Sequence, residues 1–244
     1  MNQVQTGLIV SAAALSALTG IANADFFSFA SDIAGASPTF QGVPTDPPGS
    51  GGIADAGPLS PSGRVNTMLL WDPDNDGPQP AMAFASYMTF QAGLSQPLLT
   101  PFAGGFIQSW VANGQYEFHD AANDSLILRV TFSNAAFISF TDNPNFLGSS
   151  ATLQSSEVTD GGLTFTGFGP LAGRNLSGPR SQAFTLTALR GPNGQRAGVA
   201  QGGFVLPGWV SEGSWSANAV PAPGALALGG LGGLLVFRRS RGSK

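Results

Sequence analysis

The densest run of oxygen donors in the chain is Asp72-Pro73-Asp74-Asn75-Asp76-Gly77. Carboxylates at alternate positions closed by a glycine match the first half of an EF-hand-type calcium loop, where three oxygens fold around one hard cation. The second half does not follow: the position that should supply a bidentate Glu is Ala83, and Pro80 lies between. Asp72, Asp74 and Asp76 are therefore candidate Ca2+ ligands that need a further donor from elsewhere in the fold. The same composition also makes a polar turn between two strands.

Hydrolytic chemistry has less to draw on. The chain has no cysteine and one histidine, His119, which excludes a thiol nucleophile, a disulfide framework and cysteine zinc sites. A serine hydrolase would need His119 oriented on a carboxylate and touching a serine. Glu117 and Asp120 are its sequence neighbours, but no G-x-S-x-G elbow occurs in the chain. A glycosidase would need two carboxylates flanking a sugar; Glu117, Glu157 and Glu212 are available, and spacing alone pairs none of them. The expectation is a satisfied surface histidine at a strand end, no catalytic residues and no enzyme. Trp71, Trp110, Trp209 and Trp215 would stack on sugar rings if exposed, but tryptophan in a domain of this size usually packs in the core or its rim.

The elements that carry these residues read as strands. Ser125 to Phe132 alternates Leu126, Leu128, Val130 and Phe132 onto one face, and Ala136 to Thr141 continues after Ser133-Asn134, which suggests a hairpin. The segments 163–168 and 184–189 alternate in the same way, and 26–31, 66–71, 82–91, 106–111, 115–118 and 215–219 are further strand candidates. Residues 37–62 hold six prolines and five glycines and read as a long loop or linker. No stretch of the body has helical periodicity. The expected class is all-β, an antiparallel β-sandwich or jelly roll, flanked by an N-terminal signal helix and a C-terminal hydrophobic helix.

Composition narrows the partners. Only 10% of the 244 residues are charged, and 10% are aromatic, which is enough apolar surface for a core and unlike a disordered chain. Residues 25–219 hold six arginines and no lysine against all fourteen carboxylates, a net charge of −8. Such a body repels nucleic acid and anionic lipid.

The two ends have a different character. Leu8 to Ile21 is an apolar stretch followed by Ala22-Asn23-Ala24, an A-x-A cleavage signature. Its fourteen residues rise only about 21 Å as a helix, short of a hydrocarbon core of roughly 30 Å. Residues 1–24 thus read as a signal peptide, with cleavage leaving Asp25 first. At the other end Val220-Pro221-Ala222-Pro223-Gly224 precedes the apolar run Ala225 to Phe237, then Arg238, Arg239 and Arg241. The arginines would stay on the cytoplasmic side as a membrane stop. The 18 residues from Val220 to Phe237 make a marginal span suited to a transient anchor.

That order of parts resembles the PEP-CTERM sorting signal of exported bacterial proteins, in its VPAPG variant. The family usually carries Glu where this chain has Ala222. The resemblance covers residues 220–244 and implies recognition by an exosortase-type processing enzyme, transient residence in the inner membrane, and delivery of the body to the cell surface or an exopolysaccharide matrix. A structural or adhesive role is the leading expectation for residues 25–219; a carbohydrate- or calcium-binding module is the alternative, and a secreted hydrolase using His119 a more distant one.

Overall fold

Large apolar side chains at every second position, separated by Ser, Thr, Gln and Asn, can bury one face of a strand and leave the other in water. The described residues of the computed structural model, 25–29, 39–44, 51–55, 65–73, 79–160, 162–176 and 178–219, follow that rule almost throughout. They form eleven strands: β1 (Asp25–Phe29), β2 (Thr39–Val43), β3 (Gly52–Asp55), β4 (Val65–Asp72), β5 (Met82–Phe102), β6 (Gly105–Asp120), β7 (Leu126–Thr141), β8 (Ala151–Ser156), β9 (Thr164–Gly167), β10 (Arg180–Arg190) and β11 (Val210–Ala219). Glu157–Asp160 adds one helical turn after β8.

All eleven belong to one antiparallel sheet, and the pairing runs full circle. Strands β5, β6, β7, β8, β10 and β11 pair in that order. Two short routes then lead from β11 back to β5. One runs through β1 and β4, and uses Trp215 to Ala219 of β11 and Met82 to Met88 of β5. The other runs through β2 and β3, and uses Val210 to Glu212 and Gln91 to Gly93. Each route bridges part of the gap between β11 and β5, and together they close the circuit of pairing. Outside the circuit, β9 pairs with residues 128–131 of β7.

The enclosed face is aromatic. Phe184 of β10 meets Phe40 of β2 at 4.7 Å and Phe90 of β5 at 5.0 Å between ring centroids. Trp215 of β11 lies 5.3 Å from both Phe118 and Tyr116 of β6, and 6.1 Å from Phe29 of β1. Each ring withdrawn from water contributes about 1.5–3 kcal/mol, which makes this cluster the main stabilising element. Two polar groups inside it, the Trp215 indole N–H and the Tyr116 hydroxyl, share one acceptor. Gln182 Oε1 accepts from Trp215 Nε1 at 3.1 Å and bonds the Tyr116 hydroxyl, and burial raises the Tyr116 pKa well above its ordinary value.

Three sequence expectations are corrected. Ser133-Asn134 is not a hairpin turn; β7 runs straight through it as one sixteen-residue strand. The buried positions change phase there, from Leu128, Val130 and Phe132 to Ala135, Phe137, Ser139 and Thr141. Asn134 sits at φ 58° beside a register shift opposite Asn113, so one extra residue is absorbed as a bulge. In β6, likewise, the two expected strands are one. Residues 37–62 are also more than a loop, because they contain β2 and β3. Phe40 and Ile53 are fully buried there, and Gly42 lies where a Cβ would stand 2.2 Å from the Trp209 indole. The prolines around them mask in sequence what two apolar side chains and one close approach achieve in space.

Candidate functional site

The first and last described residues adjoin. Asp25, first residue of β1, is the register partner of Ala219, last residue of β11. Trp71 of β4 donates its indole N–H to Asp25 Oδ1 at 2.9 Å, and the Arg174 guanidinium covers the Trp71 ring at 4.6 Å. Burial raises the Asp25 carboxyl above its ordinary pKa, against the opposing pull of the Trp71 hydrogen bond and Arg174. The junction is thus a packed seam that joins the first and last described strands. The segments beyond it, with Ala22, Ala24, Val220, Pro221, Ala222, Pro223, Gly224, Arg238, Arg239 and Arg241, lie outside the described residues. Among the described residues no helix is long and apolar enough to cross a membrane.

Beside this seam the outward face of β8, β10 and β11 forms an open groove of about 440 Å³. Strand alternation sends Phe184 and Trp215 inward, so the small polar residues between them must face out. Across the strands they line up in register as Asn218, Ser181 and Ser156 in one row and Ser216, Ala183 and Gln154 in the next. Phe26, the partner of Asn218 across β1, closes one side. Ser181 Oγ and Asn218 Oδ1 are hydrogen-bonded at 2.7 Å. Hydroxyl, amide and one ring edge, without a charged side chain, can hydrogen-bond a polyhydroxylated ligand and pack against its C–H face. Nothing in the strand pattern alone announced this groove, because its rows come from three strands far apart in sequence.

His119 lies near the end of β6 and is most of the way buried. Its Nε2 is 3.2 Å from Glu117 Oε2, two residues back on the same strand face, and its ring stacks on Tyr87 of β5 at 4.8 Å. Arg129 of β7 donates to Glu117 Oε1 at 2.6 Å, and the Tyr87 hydroxyl bonds Asp124. Partial burial raises the Glu117 pKa, but the hydrogen bonds from Arg129 and His119 outweigh it and leave the carboxyl below its ordinary value. A carboxylate held ionised by an arginine clamps strands together and makes a poor proton donor. Asp120 instead accepts from its own turn, at Ala122 N, 2.7 Å away. Sequence adjacency pointed to Glu117 and Asp120 and missed Tyr87 and Arg129, which cross-strand register supplies.

The three glutamates do not converge. Glu117 is bound to Arg129 and His119, whereas Glu157 pairs with Arg180 at 2.9 Å, a contact that lowers its pKa. Glu212 sits on the outward face of β11 opposite Thr187. All four tryptophans are buried, none more than 3% exposed, so none forms a stacking platform. Asp72 ends β4 and is half-buried; Asp74 and Asp76 lie outside the described residues. Among the described residues no cluster of three or more His, Asp or Glu side chains is arranged to hold a metal ion. No family model, curated protein or solved structure matches the chain.

Proposed function

We propose that this chain is an exported, exosortase-sorted surface or matrix protein whose body plays a structural or adhesive role. The observation that carries the reading is the pairing of Asp25 with Ala219. A body released at both ends keeps its fold when both cuts fall outside its terminal strands, and β1 begins at Asp25 while β11 ends at Ala219. Here the signal segment ends immediately before Asp25 and the sorting motif starts immediately after Ala219. The closed circuit of strands and its aromatic core belong to such a body too. We read it as a flattened β-sandwich, with β1, β10 and β11 facing β5 and β6 across the Phe90, Phe118, Phe184 and Trp215 rings.

Deleting residues 220–244 and fractionating the producing cells tests the proposal. Loss of the protein from the surface and matrix fractions is the expected result; unchanged surface delivery overturns it.

A second reading, a carbohydrate-binding module, draws on the Ser156, Ser181, Asn218 and Phe26 groove. Under it, Ser181→Tyr fills the groove and abolishes retardation of the protein in gels cast with the producing strain's exopolysaccharide. Equal migration of both proteins counts against it.

A further inference from the structure

At the end of the fold away from the Asp25–Ala219 seam, the last turns of the β5–β6 ribbon and the loop 199–203 enclose a cavity of about 370 Å³. Much of its wall is apolar: Pro97 and Leu99 from β5, Trp110 from β6, and Val199 and Ala200 from the loop. Among the described residues no charged side chain lines it. The loop is held in place rather than draped. Trp110 Nε1 donates to Gly203 O at 2.7 Å, Val199 N to Asn145 O at 2.8 Å, and Ala200 N to Phe204 O at 2.8 Å.

Three wall residues carry carboxamides, Gln108, Asn145 and Gln201, and that of Gln108 is half-satisfied. Gln108, inward-facing on β6 and 3% exposed, donates Nε2–H to Pro144 O at 2.7 Å. That carbonyl can only accept, so it fixes which arm of the amide is nitrogen. The other arm, Oε1, is buried and accepts no hydrogen bond from the described residues. A buried acceptor in that state is costly, and a donor brought by a ligand would relieve the cost. The indole N–H beside it is already committed to Gly203, which leaves the Trp110 ring as a contact surface.

We propose that this cavity is a binding site for a neutral, flat, mainly apolar molecule carrying one hydroxyl or N–H, such as a phenol, with the donor on Gln108 Oε1 and the ring between Trp110, Pro97 and Val199. A volume of this size falls in the range of small-molecule sites, and the absence of charge on the walls disfavours ions. The site stands independently of how the chain is sorted.

Ligand-observed 19F NMR on the full-length chain tests it, with 4-fluorophenol and fluorobenzene as probes and Ala200→Phe, which plugs the cavity, as the baseline. The expected result is 4-fluorophenol binding about tenfold more tightly than fluorobenzene. Gln108→Met should remove that preference, and Ala200→Phe should abolish binding of both probes. Circular dichroism establishes that each variant folds; if Gln108→Met does not, the preference of the unaltered chain and its loss in Ala200→Phe decide. No binding, equal affinities, a preference that survives in folded Gln108→Met, or binding that survives in Ala200→Phe each overturns the proposal.

Discussion

Replacing Phe40 with Ala should destabilise the body more than any other change within residues 37–62. Its ring is fully buried and meets Phe184 at 4.7 Å and Phe90 at 5.7 Å. Truncating a buried Phe costs about 3–5 kcal/mol, of which each lost aromatic pair contributes about 0.5–1.5 kcal/mol. For the 195 residues from 25 to 219, each kcal/mol lowers the melting temperature by about 2–4 °C, so the expected fall is about 6–20 °C. A second substitution makes the account sharper. A Cβ on Gly213 would stand 2.4 Å from the Phe40 ring and 3.2 Å from Phe184. Gly213→Ala alone therefore overpacks the core, at about 1–3 kcal/mol. In Phe40→Ala the same methyl enters vacated space. The double variant should then be more stable than the sum of the two single losses, by at least about 1 kcal/mol. Urea unfolding followed by tryptophan fluorescence measures all three. A loss below about 1 kcal/mol for Phe40→Ala, or strict additivity in the double variant, would show that β2 does not seal the core as described.

Gly42→Ala should cost about 1–3 kcal/mol, because backbone hydrogen bonds between Gly42 and both Trp209 and Gly208 prevent the strand from backing away from the indole; urea midpoints read it. Because the folded Asp25 carboxyl titrates above its unfolded value, its contribution is full below about pH 3.9 and is lost as pH rises through the raised value. Asp25→Asn keeps an acceptor for Trp71 and removes that titration, so its urea midpoint should exceed that of the unaltered chain at pH 7 and lose the advantage near pH 3. Glu117 behaves oppositely: its lowered pKa stabilises the fold above about pH 4.3, and that contribution is lost as pH falls through the folded value. Glu117→Gln should therefore cost up to about 1 kcal/mol at pH 7, limited by the 43% exposure of Arg129, and nothing in strong acid.

What sequence carried and what it did not follow one physical divide. Period-two alternation depends only on neighbours along the chain, and it placed the segments at 66–71, 163–168, 184–189 and 215–219 close to β4, β9, β10 and β11. Bulges defeat it, because an extra residue at Asn134 looks locally like a turn. β8 is not evident in the sequence because, of its inward residues Ala151, Leu153 and Ser155, only Leu153 is large and apolar. β2 and β3 were hidden by surrounding prolines, since the reason they are strands is Phe40 fitting against Phe90 and Phe184 from elsewhere in the chain. Sites fare worse than strands. The outward groove, the Tyr87 and Arg129 partners of the Glu117–His119 pair, and the orphan oxygen of Gln108 all arise from cross-strand register. Closure of the sheet itself is a property of pairings, and no single segment encodes it.

The central claim is that a body tied together at Asp25 and Ala219 is carried out of the cell by the segments on either side. Intact-mass analysis of the protein recovered from the cell surface and the surrounding matrix tests it most directly. The account predicts a species beginning at Asp25 and ending within or near Val220 to Gly224. Recovery of residues 1–244 as one uncut polypeptide from the cytosol, with none at the surface, would contradict it.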